Sequence, residues 1–169
     1  YTLVLDSVWI APGRMLGDGV AAALYRCALA GACAVGDGAV AGALALTSEH
    51  AGSRNQFGRP VAAFQAVAQQ LADVYIAART LHLATLSACW RLAAGCDPDD
   101  DILVAAYWLA QEAPPAMHTC HHLHGGLGVD VTYPMHRYYA LVKDLVRFTG
   151  GREHRLDVLG AGTGVREEW

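Results

Sequence analysis

Small and apolar residues run with little interruption from Gly19 to about Gly52, without a proline. That pattern predicts a long helix, although each glycine in it costs about 1 kcal/mol relative to alanine. Gly38 and Gly42 stand one turn apart, a spacing that predicts close approach of a neighbouring backbone. A loop with Gly58 and Pro60 follows, and Pro60 suits the first position of the next helix. That helix shows Phe64, Val67, Leu71, Val74, Ala78 and Leu81 on one face and is expected to reach about Ala94. The turn from Gly95 to Asp101 ends in acids suited to the start of a helix over about 100–123. Pro114 and Pro115 inside it remove two backbone donors and predict a kink or break. A last helix begins near Pro134, with Tyr138, Leu141, Leu145 and Phe148 on one face, and Gly150-Gly151 stops it. The fold class predicted is all-α, an antiparallel four-helix bundle. It is preceded by a remnant β-strand in the partly alternating stretch Tyr1–Ile10, which Ala11-Pro12-Gly13 ends. One strand is not a sheet, so its companions are expected upstream.

Composition narrows the function. At 169 residues, 54% hydrophobic and 17% charged, the chain is one folded domain. Twelve basic residues against 16 acidic ones give a net charge of −4, and the basic residues are scattered, so nucleic acid is not expected as a partner. The five cysteines, Cys27, Cys33, Cys89, Cys96 and Cys120, show no CxxC pair and no leader precedes them, which predicts reduced thiols and a cytoplasmic location. Cys27 to Leu46 could pass for a membrane span, but it is mostly Ala and Gly and carries Asp37 near its middle. A charge there costs about 2.5–3.5 kcal/mol on insertion, so a buried helix and no membrane are expected.

His118, Cys120, His121, His122 and His124 crowd into seven positions, with i,i+4 pairs that could chelate zinc. No further ligand stands at a defined spacing, so no metal is expected and the histidines are read as capping a helix end or lining a pocket. Gly125-Gly126-x-Gly128 lacks the preceding strand of a dinucleotide fingerprint.

Several segments together are more specific. Arg54-Asn-Gln-Phe-Gly-Arg-Pro-Val61, Phe64-Gln65, Leu71-Ala-Asp73, Leu123-His-Gly-Gly-Leu-Gly128 and Tyr133-Pro-Met-His-Arg-Tyr138 resemble, in order and spacing, the C-terminal helical domain of the acyl-CoA dehydrogenase family. The opening strand and Ala11–Gly17 look like the end of that family's middle β-domain. The resemblance implies the end of a β-domain at 1–17, a helical bundle at 18–151 and a tail at 152–169. It also implies α,β-dehydrogenation of an acyl-CoA: a carboxylate takes the α-proton while the β-hydrogen passes as hydride to FAD bound across a subunit interface. The family's flavin contacts fall on Arg54, Asn55, Gln56, Phe57, Phe64, Gln65, His122, Gly125 and Gly126. A guanidinium fork suits a pyrophosphate, glycines admit the main chain to it, and Phe57 is suited to an adenine. The competing reading makes Arg54 a helix cap and Phe57 and Phe64 core residues.

Three departures stand out. His122 replaces the family's usual glutamine, keeping a polar group. Both positions known for the family's catalytic glutamate are empty: Thr149 occupies the one after the last helix and Ala28 the one on the first helix. A threonine hydroxyl cannot replace a carboxylate as base near neutral pH. Ala140 replaces an arginine common in the last helix. Asp37, Asp130 and Asp144 lie in the right stretches, but surface or capping roles are the expectation for them. The chain therefore resembles a subunit that contributes flavin contacts but no base, with a homologous subunit supplying it. The Ala-rich sequence and the stretch from His124 to Tyr138 resemble actinobacterial steroid-degrading members, which pair unlike subunits in α2β2 tetramers. The alternatives are a complete homo-oligomeric dehydrogenase with an unrecognised base, and a structural subunit without cofactor contact.

Overall fold

The long run of small residues becomes helix α1, Val20–Ser53, in the computed structural model, which describes residues 4–162. Two-residue strands β1 (Asn55–Gln56) and β2 (Arg59–Pro60) follow, then α2 (Gln65–Ala94), α3 (Asp99–His124), α4 (Met135–Phe148) and α5 (Gly151–Gly162). The links are short, so successive helices from α1 to α4 reverse direction and pack as an antiparallel bundle. Its core lies between α1, α2 and α3, where Leu29, Cys33, Val40, Val74, Leu81, Ala105 and Leu109 are buried, and α4 adds Met135 and Val142. By length and composition α1 could cross a membrane. Here its buried face, from Leu29 to Ala51, packs on α2, α3 and α4.

Two close approaches set how the helices meet. A Cβ on Gly42 would stand 2.9 Å from the Tyr138 ring of α4, and one on Gly36 would run into Leu109 of α3. Gly38 has open space around it, so the packing glycines of α1 are Gly36 and Gly42 rather than the expected pair. The α2–α3 turn follows the expectation. Gly95 at φ +70° closes α2, and Asp99, Asp100 and Asp101 occupy the first turn of α3. Asp99 grips Arg26 of α1 through two bonds of 2.6 Å, and Arg26 holds its carboxyl below the usual range.

Three expectations are corrected, and the opening stretch is described only in part. Pro60 does not open α2; it closes a small hairpin, and α2 starts at Gln65. Of the kink or break expected at Pro114 and Pro115, the break does not occur: α3 runs through them because Ala113, Ala116 and Met117 on either side are buried in the core. Residues 152–162 of the expected tail are helical: α5 packs on α3, and its Arg155 is buried, donating to the Thr149 carbonyl and, at 3.0 Å, to the Tyr25 hydroxyl. Of the expected opening strand, residues 1–3 lie outside the described residues, and 4–10 are irregular and exposed. A strand takes its bonds from a neighbour, and none for this stretch is among the described residues.

Candidate functional site

The end of the bundle where α1 stops, α2 starts and α3 stops gathers every residue expected to meet the flavin. Arg54 sits at the C-cap of α1, its N–H donating to the His50 carbonyl at 2.9 Å while its own carbonyl accepts from Val61 at 2.8 Å. Its side chain is exposed and makes no ion pair or hydrogen bond among the described residues. Asn55 pairs with Pro60 and Gln56 with Arg59, leaving Phe57 and Gly58 as a two-residue tip at φ +52° and +79°. Both signs are what a type I′ hairpin demands, and an aromatic residue pays strain to hold one of them. The hairpin is the local structure that periodicity missed; its signal was a two-residue Phe-Gly tip with polar neighbours.

Phe57 is 93% exposed, which excludes the core reading for it. Its ring meets that of Phe64 edge-on at 6.2 Å, and the Arg59 guanidinium lies 4.1 Å over Phe64, which is half-buried at the N-cap of α2. Gln65 follows, exposed. At the end of α3, His122, Gly125 and Gly126 are exposed, and a Cβ on either glycine would meet nothing within 4 Å. An uncommitted guanidinium, an open glycine pair and an exposed aromatic ring fit a dinucleotide's pyrophosphate and adenine.

The histidine cluster separates around the helix instead of converging. His118 and His122 face out, His121 is half-buried, and Cys120 and His124 are buried. Among the described residues no group of three His, Cys, Asp or Glu side chains is placed to hold a metal. His124 instead stacks on His50 of α1, ring centroids 4.6 Å apart, and lies 5.2 Å from the Tyr133 ring. Burial and the facing His124 push the His50 pKa down, with Arg54 adding to it; burial and the histidines around it do the same for His121. A cleft of about 240 Å³ opens beside the stack, lined by Leu46, Glu49, His50, Ser53, Leu127 and Tyr133. No sequence signal joined His50 to His124, because 74 positions separate them.

Of the remaining candidate positions, Asp130 follows the Gly125–Val129 turn at this end, while Thr149 and Ala28 lie toward the other end of the bundle. Thr149 is fully buried, and its hydroxyl donates to the Val146 carbonyl at 3.0 Å. Ala28 is an exposed methyl on α1. Asp37 is 2.9 Å from His82 Nδ1, and Asp144 pairs with Arg147 one turn on at 3.4 Å. Asp130 accepts the backbone N–H and hydroxyl of Thr132 at 2.8 and 2.7 Å, and those bonds hold its carboxyl below the usual range. Each of the three acids has a local partner.

Comparison with known proteins identifies the arrangement. Residues 17–163 match the model of the acyl-CoA dehydrogenase C-terminal domain. The chain is 53% identical over 161 residues to acyl-CoA dehydrogenase FadE28 of Mycobacterium tuberculosis, covering 95% of this chain and 48% of that protein. It therefore spans about half the length of this curated relative. Among solved structures, the ChsE4-ChsE5 complex from Mycobacterium tuberculosis superposes with TM-score 0.82 at 37% identity, over 88% of this chain and 41% of the other. A variant of the Tcur3481-Tcur3483 steroid ACAD gives TM-score 0.77 at 37% identity, over 81% and 38%.

Proposed function

The chain belongs to the acyl-CoA dehydrogenase C-terminal domain family, and on that premise we propose that it is the flavin-contacting helical part of a subunit that lacks its own base and works beside a homologous subunit that has one. The reaction is α,β-dehydrogenation of an acyl-CoA, in the cytoplasm, with a steroid-derived thioester as substrate. Bound FAD supplies the acceptor for the β-hydrogen. One observation carries the reading: at the single end holding Arg54, Phe57, Phe64, Gln65, His122, Gly125 and Gly126 the polar groups face outward, while Thr149 and Ala28 offer no carboxylate. The name of the Tcur3481-Tcur3483 steroid ACAD supports the substrate class, and that pair and the ChsE4-ChsE5 complex support the unlike partner.

In this reading Arg54 binds the pyrophosphate through its forked donors, and Gly125 and Gly126 let the main chain approach it. Asn55, Gln56, Gln65 and His122 orient it by hydrogen bonds, and Phe57 covers the adenine. Proton removal falls to the partner, since the Thr149 hydroxyl is buried and already committed to Val146. A missing general base forfeits about 10²–10⁴-fold in rate.

The test is turnover by the full-length protein, alone and co-expressed with a glutamate-bearing homologue, with a dye acceptor and a panel of acyl-CoA esters that includes steroid esters. Activity is expected only with the partner, and is lost when the partner's glutamate is replaced. Robust turnover alone would mean a complete homo-oligomer with an unrecognised base, with Asp130 and Asp144 the first to mutate. Absence of flavin absorbance in both preparations would leave a structural subunit.

A further inference from the structure

Histidine rings that stack inside a protein usually find partners for their ring nitrogens. The His50–His124 stack does not. The rings lie 4.6 Å apart and within 22° of parallel, and Nε2 of each is buried without a hydrogen-bond partner among the described residues. His124 is 5% exposed, and its Nδ1 stands 2.7 Å from the Cys120 carbonyl. A carbonyl only accepts, so Nδ1 carries the proton and donates, and Nε2 keeps a bare lone pair. A proton added to that Nε2 would be an N–H⁺ with no acceptor, in a buried place, face to face with a second imidazole.

The charged surroundings reinforce this. Arg54 follows His50 by one turn, and its charge acts against protonation of that ring. His118 and His121 on α3 and His136 on α4 are the further histidines around the stack, and the charges of His118, His124 and His136 all press on His121. Tyr133 lies against His124, and the one acid bordering the adjoining cleft is Glu49, whose charge acts on the Tyr133 phenol. Among the described residues no carboxylate bonds either ring of the stack. The stack pins the last turn of α1 to the last turn of α3, the two helix ends from which the Arg54–Phe64 loop and the Gly125–Val129 turn depart.

We propose that the His50–His124 stack is an acid-sensitive latch: neutral, it holds the ends of α1 and α3 together; protonated, it lets that end of the bundle open. The latch stands on the stack itself and not on the flavin reading. The sign follows from linkage. Burial disfavours the charged form of His50, whose pKa lies below the ordinary value of 6.5. The opened end therefore binds more protons, so the closed form is favoured above the ordinary imidazole range and loses ground as pH falls below it.

The experiment is hydrogen exchange on the full-length protein at pH 7.5 and 5.5, corrected for the intrinsic rate, with residues 54–64 and 125–129 read separately from the middle of the bundle. We expect a several-fold loss of protection at those two segments in acid, and no such loss in H50F/H124F, which keeps the stacked rings without the protons. Unchanged protection in the wild type, or an equal loss in the double variant, overturns the latch. Should the double variant not fold, titration of the imidazole C–H resonances in the wild type decides it: His50 must titrate below free histidine, and an ordinary value for it overturns the proposal. None of these readouts involves flavin, so the latch and the proposed function fail separately.

Discussion

A thiolate attacks an electrophile and a thiol does not, so burial sets the order in which the cysteines react. Cys33 is fully buried on α1, and removal from water pushes its thiol up to about 12; burial raises Cys120 as well. Cys27 and Cys96 are exposed. With an aromatic disulfide reagent at neutral pH, Cys27 and Cys96 are expected to react first, and Cys33 and Cys120 only as the protein unfolds. Prompt labelling of Cys33 would contradict the packing of α1 on its neighbours. At the end where α1 and α3 stop, Arg54→Ala is expected to lower flavin occupancy, read by absorbance, with the helical circular dichroism unchanged, because the guanidinium makes no hydrogen bond or ion pair among the described residues. Unchanged occupancy would leave Arg54 as a cap only. Residues of this kind were legible because their types follow a motif: Arg54, Phe57 and His122 are short-range signals. His50 against His124, and Arg155 on the Thr149 carbonyl, were not legible, because those contacts depend on how helices distant in sequence meet.

At the scale of the element, what periodicity shows is a helix's buried face, and what it hides is the space opposite each position. The stripe Val74, Ala78, Leu81 on α2 is buried as its spacing requires, whereas the small residues of α1 gave no direction, since alanine and glycine mark every face alike. Space decides among its glycines. A leucine at Gly42 would drive into the Tyr138 ring, so Gly42→Leu is expected to lower stability by about 1–3 kcal/mol, the usual cost of overpacking. Gly38 stands in open space within the same helix, so Gly38→Ala is expected to raise stability by up to about 1 kcal/mol through helix propensity alone. Urea midpoints at constant slope measure both, and equal shifts for the two would mean that α4 does not close on α1 at Gly42. The same logic explains α3. Two prolines signal a break to anyone reading the sequence, but a helix with buried residues before and after them stays continuous because unpacking it costs more than the two lost bonds.

At the scale of the whole molecule, the bundle leaves apolar surface that its own core does not use. On α2, Ile76, Leu83, Leu86 and Trp90 are each more than half exposed, and their spacings of seven, three and four place them on one face, a stripe about 21 Å long. Leu24 and Val35 are likewise exposed on α1. Single exposed leucines are ordinary, but four large apolar residues on one face, Leu83, Leu86 and Trp90 close together and Ile76 two turns before them, suit a surface that another helix covers, and stable interfaces of this kind bury at least about 1,200 Å² in total. The proposed function needs such a neighbour, since a subunit without a base works only beside one that has it. Light scattering on the full-length protein, with or without its homologue, is therefore expected to give a mass above that of one chain. Leu86→Lys with Trp90→Lys is expected to lower that mass while the helical circular dichroism is kept, because neither side chain belongs to the bundle's own core. A monodisperse wild-type monomer at micromolar concentration would remove the assembly, and the shared-flavin argument with it. A wild-type oligomer that the double variant leaves intact would place the covering surface elsewhere than on α2.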